Sequence, residues 1–456
     1  MNKDSSINSS PLRRGVSACF PATVLAVILL GVTSGCDHEE GTAAADAGVG
    51  SIPEPAWDAG QHPIVPRLSD GSVMPSRAMD AGTSSSVPAG SCAVTVAVQK
   101  ITTPTTWANS SADCDYFVQN YLELNSTLTI EPGTVVQFGP DTIFNVGAGG
   151  KLLAVGQPDH RIALRGAHDS QGYWNALWFE SGSLASQLEY VDLVNAGQES
   201  PGIDSGKHNT GIGGNGTITF KHNRVSGSAF DGASFGENLK LSAFEHNIFE
   251  NNARFGLQVA FEQIHLLDTA SDYLGRSRPN GKPYVYAFTP ALHDYVAGGG
   301  WSNIGAPLYI DYDFTIASPL DIGGGVKIVA GKNLKITVDG YGGAGSLFAV
   351  GTSEPVVFTS ANPVQGSWRG IEFSQSSATL NMLANVRIEY AGSGPDRSAI
   401  QLKGVNQGDS VTITTTTFVD SGHPLCEDTR LTHRVGLDNS FTQGEIVPCW
   451  QPGDPL

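Results

Sequence analysis

Trp107, Leu128-Thr-Ile-Glu-Pro-Gly133, Leu152-Leu-Ala-Val-Gly156, Trp174-Asn-Ala-Leu-Trp-Phe179, Val191 and Ala196-Gly197 form an ordered set of landmarks. The set recurs as Trp301, Leu320-Asp-Ile-Gly-Gly-Gly325, Leu347-Phe-Ala-Val-Gly351, Trp368-Arg-Gly-Ile-Glu-Phe373, Val386 and Ala391-Gly392. The two copies lie roughly 195 residues apart and keep register within about three residues, as a tandem duplication does. Each landmark is a short apolar segment punctuated by Gly, Asn or Ser. That is how a chain specifies a solenoid, in which each small unit buries its apolar face only against its neighbours.

Outward from these landmarks the same grammar continues. Runs rich in Val, Ile, Leu, Phe and Thr recur at Thr134–Phe138, Arg161–Leu164, Thr217–Phe220, Gly256–Phe261, Val326–Val329, Leu334–Val338, Val356–Thr359 and Val411–Thr415. Gly, Pro, Asn and Asp separate them, and no stretch holds a helical period. Phe220-Lys-His-Asn-Arg-Val225 and Phe244-Glu-His-Asn-Ile-Phe249 repeat at 24 residues, and Leu188-Glu-Tyr-Val-Asp-Leu193 shares their apolar positions. A period in the low twenties fits one coil of a three-faced parallel β-helix, with coils about 4.8 Å apart. Asn223 then stacks over Asn247 in an amide ladder. The expected class is all-β: a right-handed parallel β-helix of two duplicated units behind a disordered spacer.

The order of these motifs resembles the right-handed parallel β-helix modules of bacterial surface lipoproteins, which share the pectate-lyase-like superhelix. The resemblance covers about Trp107–Gly197 and Trp301–Gly392, with further Asn-type coils at Thr217–Phe261 and Val411–Gly422. Gly323-Gly324-Gly325 replaces Glu131-Pro132-Gly133, and Gly370 stands where the first copy has Ala176; both changes fall at turns. That fold hosts many functions and does not by itself imply an activity.

The N-terminus carries an address. Lys3, Arg13 and Arg14 precede an apolar run from Val16 to Val32, interrupted by Pro21, and then Thr33-Ser-Gly-Cys36. A basic region, a short apolar region and small residues before the cut describe an export signal. Small residues ahead of a cysteine resemble the bacterial lipobox, which implies lipid attachment at Cys36; Thr33 departs from the Leu usual at its position. From Asp37 to Ser91 the chain is mostly Gly, Ala, Ser, Pro and Asp, with Trp57 its one aromatic. Such a stretch buries too little to offset its ordering entropy and reads as a spacer. The expected division is 1–35 signal peptide, 36–91 lipidated cysteine and spacer, 92–275 first unit, and 276–456 second unit with a disulfide-tied cap.

Charge and cysteines narrow the partners. The chain carries 55 Gly and a net charge of −18. Removing residues 1–35 takes away three cations and one anion and brings −18 to −20. An acidic chain with scattered cations lacks the basic stripe that nucleic acid requires. Outside the signal and Cys36, four cysteines remain: Cys92, Cys114, Cys426 and Cys449. They allow three pairings. The two ends of a long solenoid lie far apart, so Cys92–Cys114 and Cys426–Cys449 are the pairings geometry permits. Disulfides fit an oxidising envelope compartment.

Catalytic constellations are not evident. No His-Glu-x-x-His or phosphate loop occurs. Calcium needs six or more converging oxygens, and Asp311-x-Asp313 alone reads as a solvated strand face. Lys221 beside Glu245 reads as a stacked ion pair, and His222 and His246 as turn-flanking ladder residues rather than metal ligands. No metal or cofactor is expected, and Ca²⁺ enters only if the protein is a lyase. One position invites a ligand. Period-2 alternation points Leu177 and Phe179 inward and Trp178 outward, where it serves as a stacking platform for sugar rings or is covered by Gln198–Gly216. Glu372 is its counterpart in the second copy. The expected function is a non-catalytic, lipid-anchored glycan- or surface-binding protein of the bacterial cell envelope, in the outer membrane or on the cell surface. The alternatives are a polysaccharide lyase or glycoside hydrolase with its site near Trp178, Asp192 and Gln198–Gly216, and a purely structural envelope component.

Overall fold

The computed structural model describes residues 92–110, 112–198, 210–236, 238–289, 295–296, 299–339, 345–374, 381–403, 410–427, 432–435, 439–441 and 447–449. The signal, Cys36 and the spacer to residue 91 lie outside the described residues. What is described is a parallel β-helix. Strands of two to seven residues follow one another around successive walls, and each pairs in parallel with the strand one coil later. Leu128, Leu152, Leu188 and Ile218 show the principle: they occupy successive coils of one wall and are all buried. The alternating partner on each strand faces out, so the sequence pays in Gly and Asn at the corners rather than in long apolar runs.

The corners explain the repeat. In Leu188-Glu-Tyr-Val-Asp-Leu193 the chain leaves one strand at Glu189 and enters another at Val191, turning through Tyr190 at φ +51°. His222 (φ +54°) and His246 (φ +52°) make the same turn one and two coils later. The hexapeptide is therefore a corner joining two walls, not one strand. Asn223 and Asn247 lie directly after it, fully buried. The Asn223 amide donates to the Leu188 carbonyl (2.9 Å) while its oxygen accepts from the Val191 N–H (2.9 Å). Asn247 repeats the pattern on Phe220 (3.0 Å) and the Asn223 N–H (2.9 Å). Asn223 and Asn247 do occupy the same position on successive coils, but their side-chain amides bond backbone groups that the bend removes from the sheets rather than each other.

The duplication is more complete than the landmarks show. Among the described residues twenty strands, from Val94–Val96 to Leu257–Ala260, precede a 3-10 turn at Phe261–Leu266. Twenty more follow it, from Val285–Phe288 to Val447–Pro448, and match the first set one for one in order. The boundary at 275/276 falls in the segment between them. Details follow suit: Gly133 (φ +81°) and Gly325 (φ +79°) turn the same corner, and a Cβ on either would meet an asparagine amide at 2.5 Å, Asn109 or Asn303. Thr416 and Asn439 reproduce the ladder of the first copy, with the Thr416 N–H donating to Asn439 at 2.8 Å.

The copies are nevertheless rotated by one wall. The first strand of the first copy starts a seven-stranded sheet that ends at Ile248–Glu250. Its counterpart, Val285–Phe288, instead continues the sheet containing the second strand of the first copy. The result is a single fourteen-stranded sheet running through both copies, flanked by two sheets in each. The cause lies in the join. The 3-10 turn and a parallel bridge from Ile248 to Asp272 occupy two wall positions without belonging to the repeat, so the step between copies is not a whole number of coils. Gln263 in that turn closes the last strand of the six-stranded sheet, accepting from the Leu241 N–H (2.6 Å) and donating to the Leu239 carbonyl (3.1 Å).

Both disulfides form as expected. Cys92–Cys114 and Cys426–Cys449 each span about one coil, with Cα atoms 4.5 and 4.8 Å apart, and tie the outermost described coils to their neighbours. Trp107, Trp174, Trp301 and Trp368 are core residues. Trp174 stacks on Phe138 at 4.1 Å, and Trp174 and Trp368 donate to the Val194 and Glu389 carbonyls, both at 2.8 Å.

Candidate functional site

The outward row of the fourteen-stranded sheet holds two groups of aromatic side chains. In the first, Lys100, Glu123, Asn145, Trp178 and Gly213 stand in register on successive coils. Leu177 and Phe179 are fully buried and Trp178 is half-buried, as strand alternation requires. Gly213 beside it has no side chain, so one flank of the indole row is left low. Trp178, Tyr121, Glu180, Ser181 and Asn215 line an open cleft of about 510 Å³. The Asn145 amide donates to the Tyr121 hydroxyl and to Glu180 Oε1, both at 2.8 Å, and so fixes an aromatic and a carboxylate on the cleft wall. Burial pushes the Tyr121 phenol up, so it stays a neutral hydroxyl at ordinary pH. Residues 199–209 lie outside the described residues; Gln198 binds Asp141, and Asn215 reaches the cleft. An aromatic face, a tyrosine hydroxyl, an amide and a carboxylate converging on one concavity are the groups that hold a polyhydroxylated ring.

The second group sits at the join and was not singled out from the sequence. Ser234, Gln258, Tyr286 and Tyr309 continue a register row along the same sheet. Phe255, Tyr286 and Tyr309 stack at 5.2 to 6.2 Å, with Tyr284 beside Tyr309 and Phe288 beside Tyr286. Arg254 lies 4.0 Å over the Phe230 ring and 5.3 Å from that of Phe255. Its charge faces Asp231, a fully buried carboxylate that accepts from the Phe255 N–H (2.9 Å) and from Gln258. Burial raises Asp231 to about 6 despite Arg254. Tyr286 donates to Asp311 at 2.9 Å; burial raises both groups, and the Tyr309 phenol is pushed up to about 12. The alternation Tyr284-Val-Tyr-Ala-Phe288, with aromatics on the outward positions, is the signal that would have found this group.

The remaining sequence candidates separate. Asp311 turns to Tyr286, whereas Asp313 accepts from the Lys335 N–H (2.8 Å) and pairs with Arg369, so the two carboxylates serve different partners. Asp192 lies on the seven-stranded sheet, paired with Arg161 at 2.8 Å, and does not join Trp178. Glu372 falls on another sheet, between Lys335 (3.3 Å) and Lys403 (3.6 Å), because the second copy is rotated. Lys221 and Glu245 form the expected ion pair at 2.9 Å. No protein-family model matches the sequence, no curated protein matches it, and no solved structure matches the fold.

Proposed function

We propose that this chain is a lipid-anchored protein of the bacterial cell envelope that binds glycan, without catalysis, along the outward face of its fourteen-stranded sheet. The observation that carries the reading is the cleft at Trp178, Tyr121, Asn145 and Glu180, on the same sheet as the Tyr286–Tyr309 stack. Stacking surfaces with hydrogen-bonding groups between them suit a chain of sugar rings lying across successive coils. The anchor belongs to the same proposal: Cys36 holds the lipid, and residues 37–91 space the solenoid from the outer membrane. The two disulfides accord with an oxidising envelope compartment.

Catalysis would need an acid and a base facing one bond. Among the described residues Glu180 on the cleft wall accepts from Asn145 at 2.8 Å and Glu123 is paired with Lys100 at 3.0 Å, while Asp231 and Asp311, committed to Arg254 and Tyr286, do not line the cleft. The test is glycan-array binding of the mature chain beside an assay for unsaturated sugar products with and without Ca²⁺. We expect binding that falls at least about tenfold in Trp178→Ala, the cost of losing a buried aromatic contact, with no product formed. Calcium-dependent product release would establish the lyase alternative, and silence in both assays would favour a structural envelope component. Cys36→Ser should abolish detergent partitioning; unchanged partitioning would remove the anchor from the proposal.

A further inference from the structure

The corner that joins the six-stranded sheet to the first copy's seven-stranded sheet, away from the aromatic row, carries a second set of chemically capable side chains. Tyr190, His222 and His246 occupy it on three successive coils. Tyr190 and His222 stack at 4.5 Å and 2°, and His222 and His246 at 5.0 Å and 21°. Their backbones are held independently of their rings. The His222 N–H donates to the Glu245 carbonyl (2.8 Å), the His246 N–H to Asp268 (2.7 Å), and the buried asparagines beneath fix the coil spacing. The ladder accounts for the backbone and leaves the imidazole nitrogens uncommitted to it. Glu245, adjacent to His246, brings a carboxylate to the same place: one ligand atom from each of His222, Glu245 and His246 lies within 4.8 Å of the others.

We propose that His222, Glu245 and His246 form a surface site for a divalent transition-metal ion of the zinc, copper or nickel class. Two imidazoles and one carboxylate make a donor set that such ions prefer, while calcium and magnesium favour oxygen alone. Coordination at about 2.0–2.2 Å requires the three donors to close inward by a fraction of their present separation. His246 and Glu245 are exposed, with His246 Nδ1 lying 4.0 Å from Asp268 and Glu245 paired with Lys221, while His222 is steadied by Tyr190. Three protein ligands leave further coordination positions open to water or to a hydroxyl or carboxylate of another molecule. The second copy lacks the set: Asn385 and Thr415 take the corner positions of Tyr190 and His222. The site is thus peculiar to the first copy. Lys221 is its built-in competitor, since it holds Glu245 at 2.9 Å.

The experiment is calorimetric titration of the mature, chelator-treated protein with Zn²⁺, together with Cu²⁺ electron paramagnetic resonance to count coordinated imidazole nitrogens. Asparagine already occupies this left-handed corner at Asn385, so His222→Asn and His246→Asn remove a ligand without straining the turn. We expect one saturable site with a two-imidazole copper signal, and a loss of at least about tenfold in affinity in each histidine variant. Glu245→Gln should also weaken binding, and Lys221→Ala should tighten it by freeing Glu245. The proposal is overturned by the absence of saturable binding, by unchanged affinity in the double histidine variant with its thermal melt preserved, or by a copper signal with fewer than two imidazoles.

Discussion

Two buried polar residues show how differently this chain uses the same burial. Asn223 spends its whole side chain on backbone groups at a corner and is neutral, so burial costs it little. Asp231 is charged at neutral pH, equally buried, and held by one guanidinium at 3.8 Å. Its carboxyl is raised from 3.8 to about 6, so the folded state binds more protons than the unfolded state between these values. Its contribution to stability is therefore full below pH 4 and falls away as pH rises through 6. Asp231→Asn removes that dependence. Measured by chemical denaturation, the stability of the variant relative to the parent should improve from pH 4 to pH 7 by up to about 3 kcal/mol. A difference flat in pH would mean that Asp231 titrates at its ordinary value.

At the scale of elements, the 3-10 turn Phe261–Leu266 does the work of a missing strand. A sheet edge presents unpaired backbone groups, and the six-stranded sheet would end on Leu239–Glu245 with just such a row. Gln263 meets it with a side-chain acceptor and a donor, so a single amide imitates part of the next coil. Gln263→Ala should cost about 2–4 kcal/mol, because it leaves two or more buried backbone groups unpaired. Gln263→Glu keeps the acceptor for the Leu241 N–H and loses the donor, and should cost at least as much. Thermal melts that place both variants within experimental error of the parent would show that the edge is closed by other means.

At the scale of the whole solenoid, each coil rests on its neighbours, and the outermost coils have a neighbour on one side only. The disulfides sit there. Each closes a loop spanning 22 or 23 residues and is worth roughly 3 kcal/mol in the loop-entropy model. The Cys92→Ser, Cys114→Ser pair should lose hydrogen-exchange protection in Val94–Val118 first, while Ile212, Ala233 and Leu257 in the middle of the fourteen-stranded sheet stay protected. Uniform loss of protection along the chain would show instead that the solenoid unfolds as one cooperative unit.

By itself the sequence determined the wall and its repeat. Leu128 and Leu188 alternate with polar neighbours at strand period, and the Phe220 and Phe244 hexapeptides fix a coil of 24 residues, because apolar alternation and corner chemistry are local properties that survive in a linear reading. The outward direction of Trp178 and the disulfide pairing followed from the same local rules plus the separation of the ends. Which side chains share a face was decided only by the tertiary structure. The two wall positions added by Phe261–Leu266 and the Ile248–Asp272 bridge turn the second copy by one face. That rotation sends Glu372 to a different sheet from Trp178, sets Tyr286 and Tyr309 on the sheet of Trp178, and leaves Asp192 on another. A phase counted in coils accumulates through irregular segments whose contribution no local pattern records, so it becomes visible only when the strands are paired.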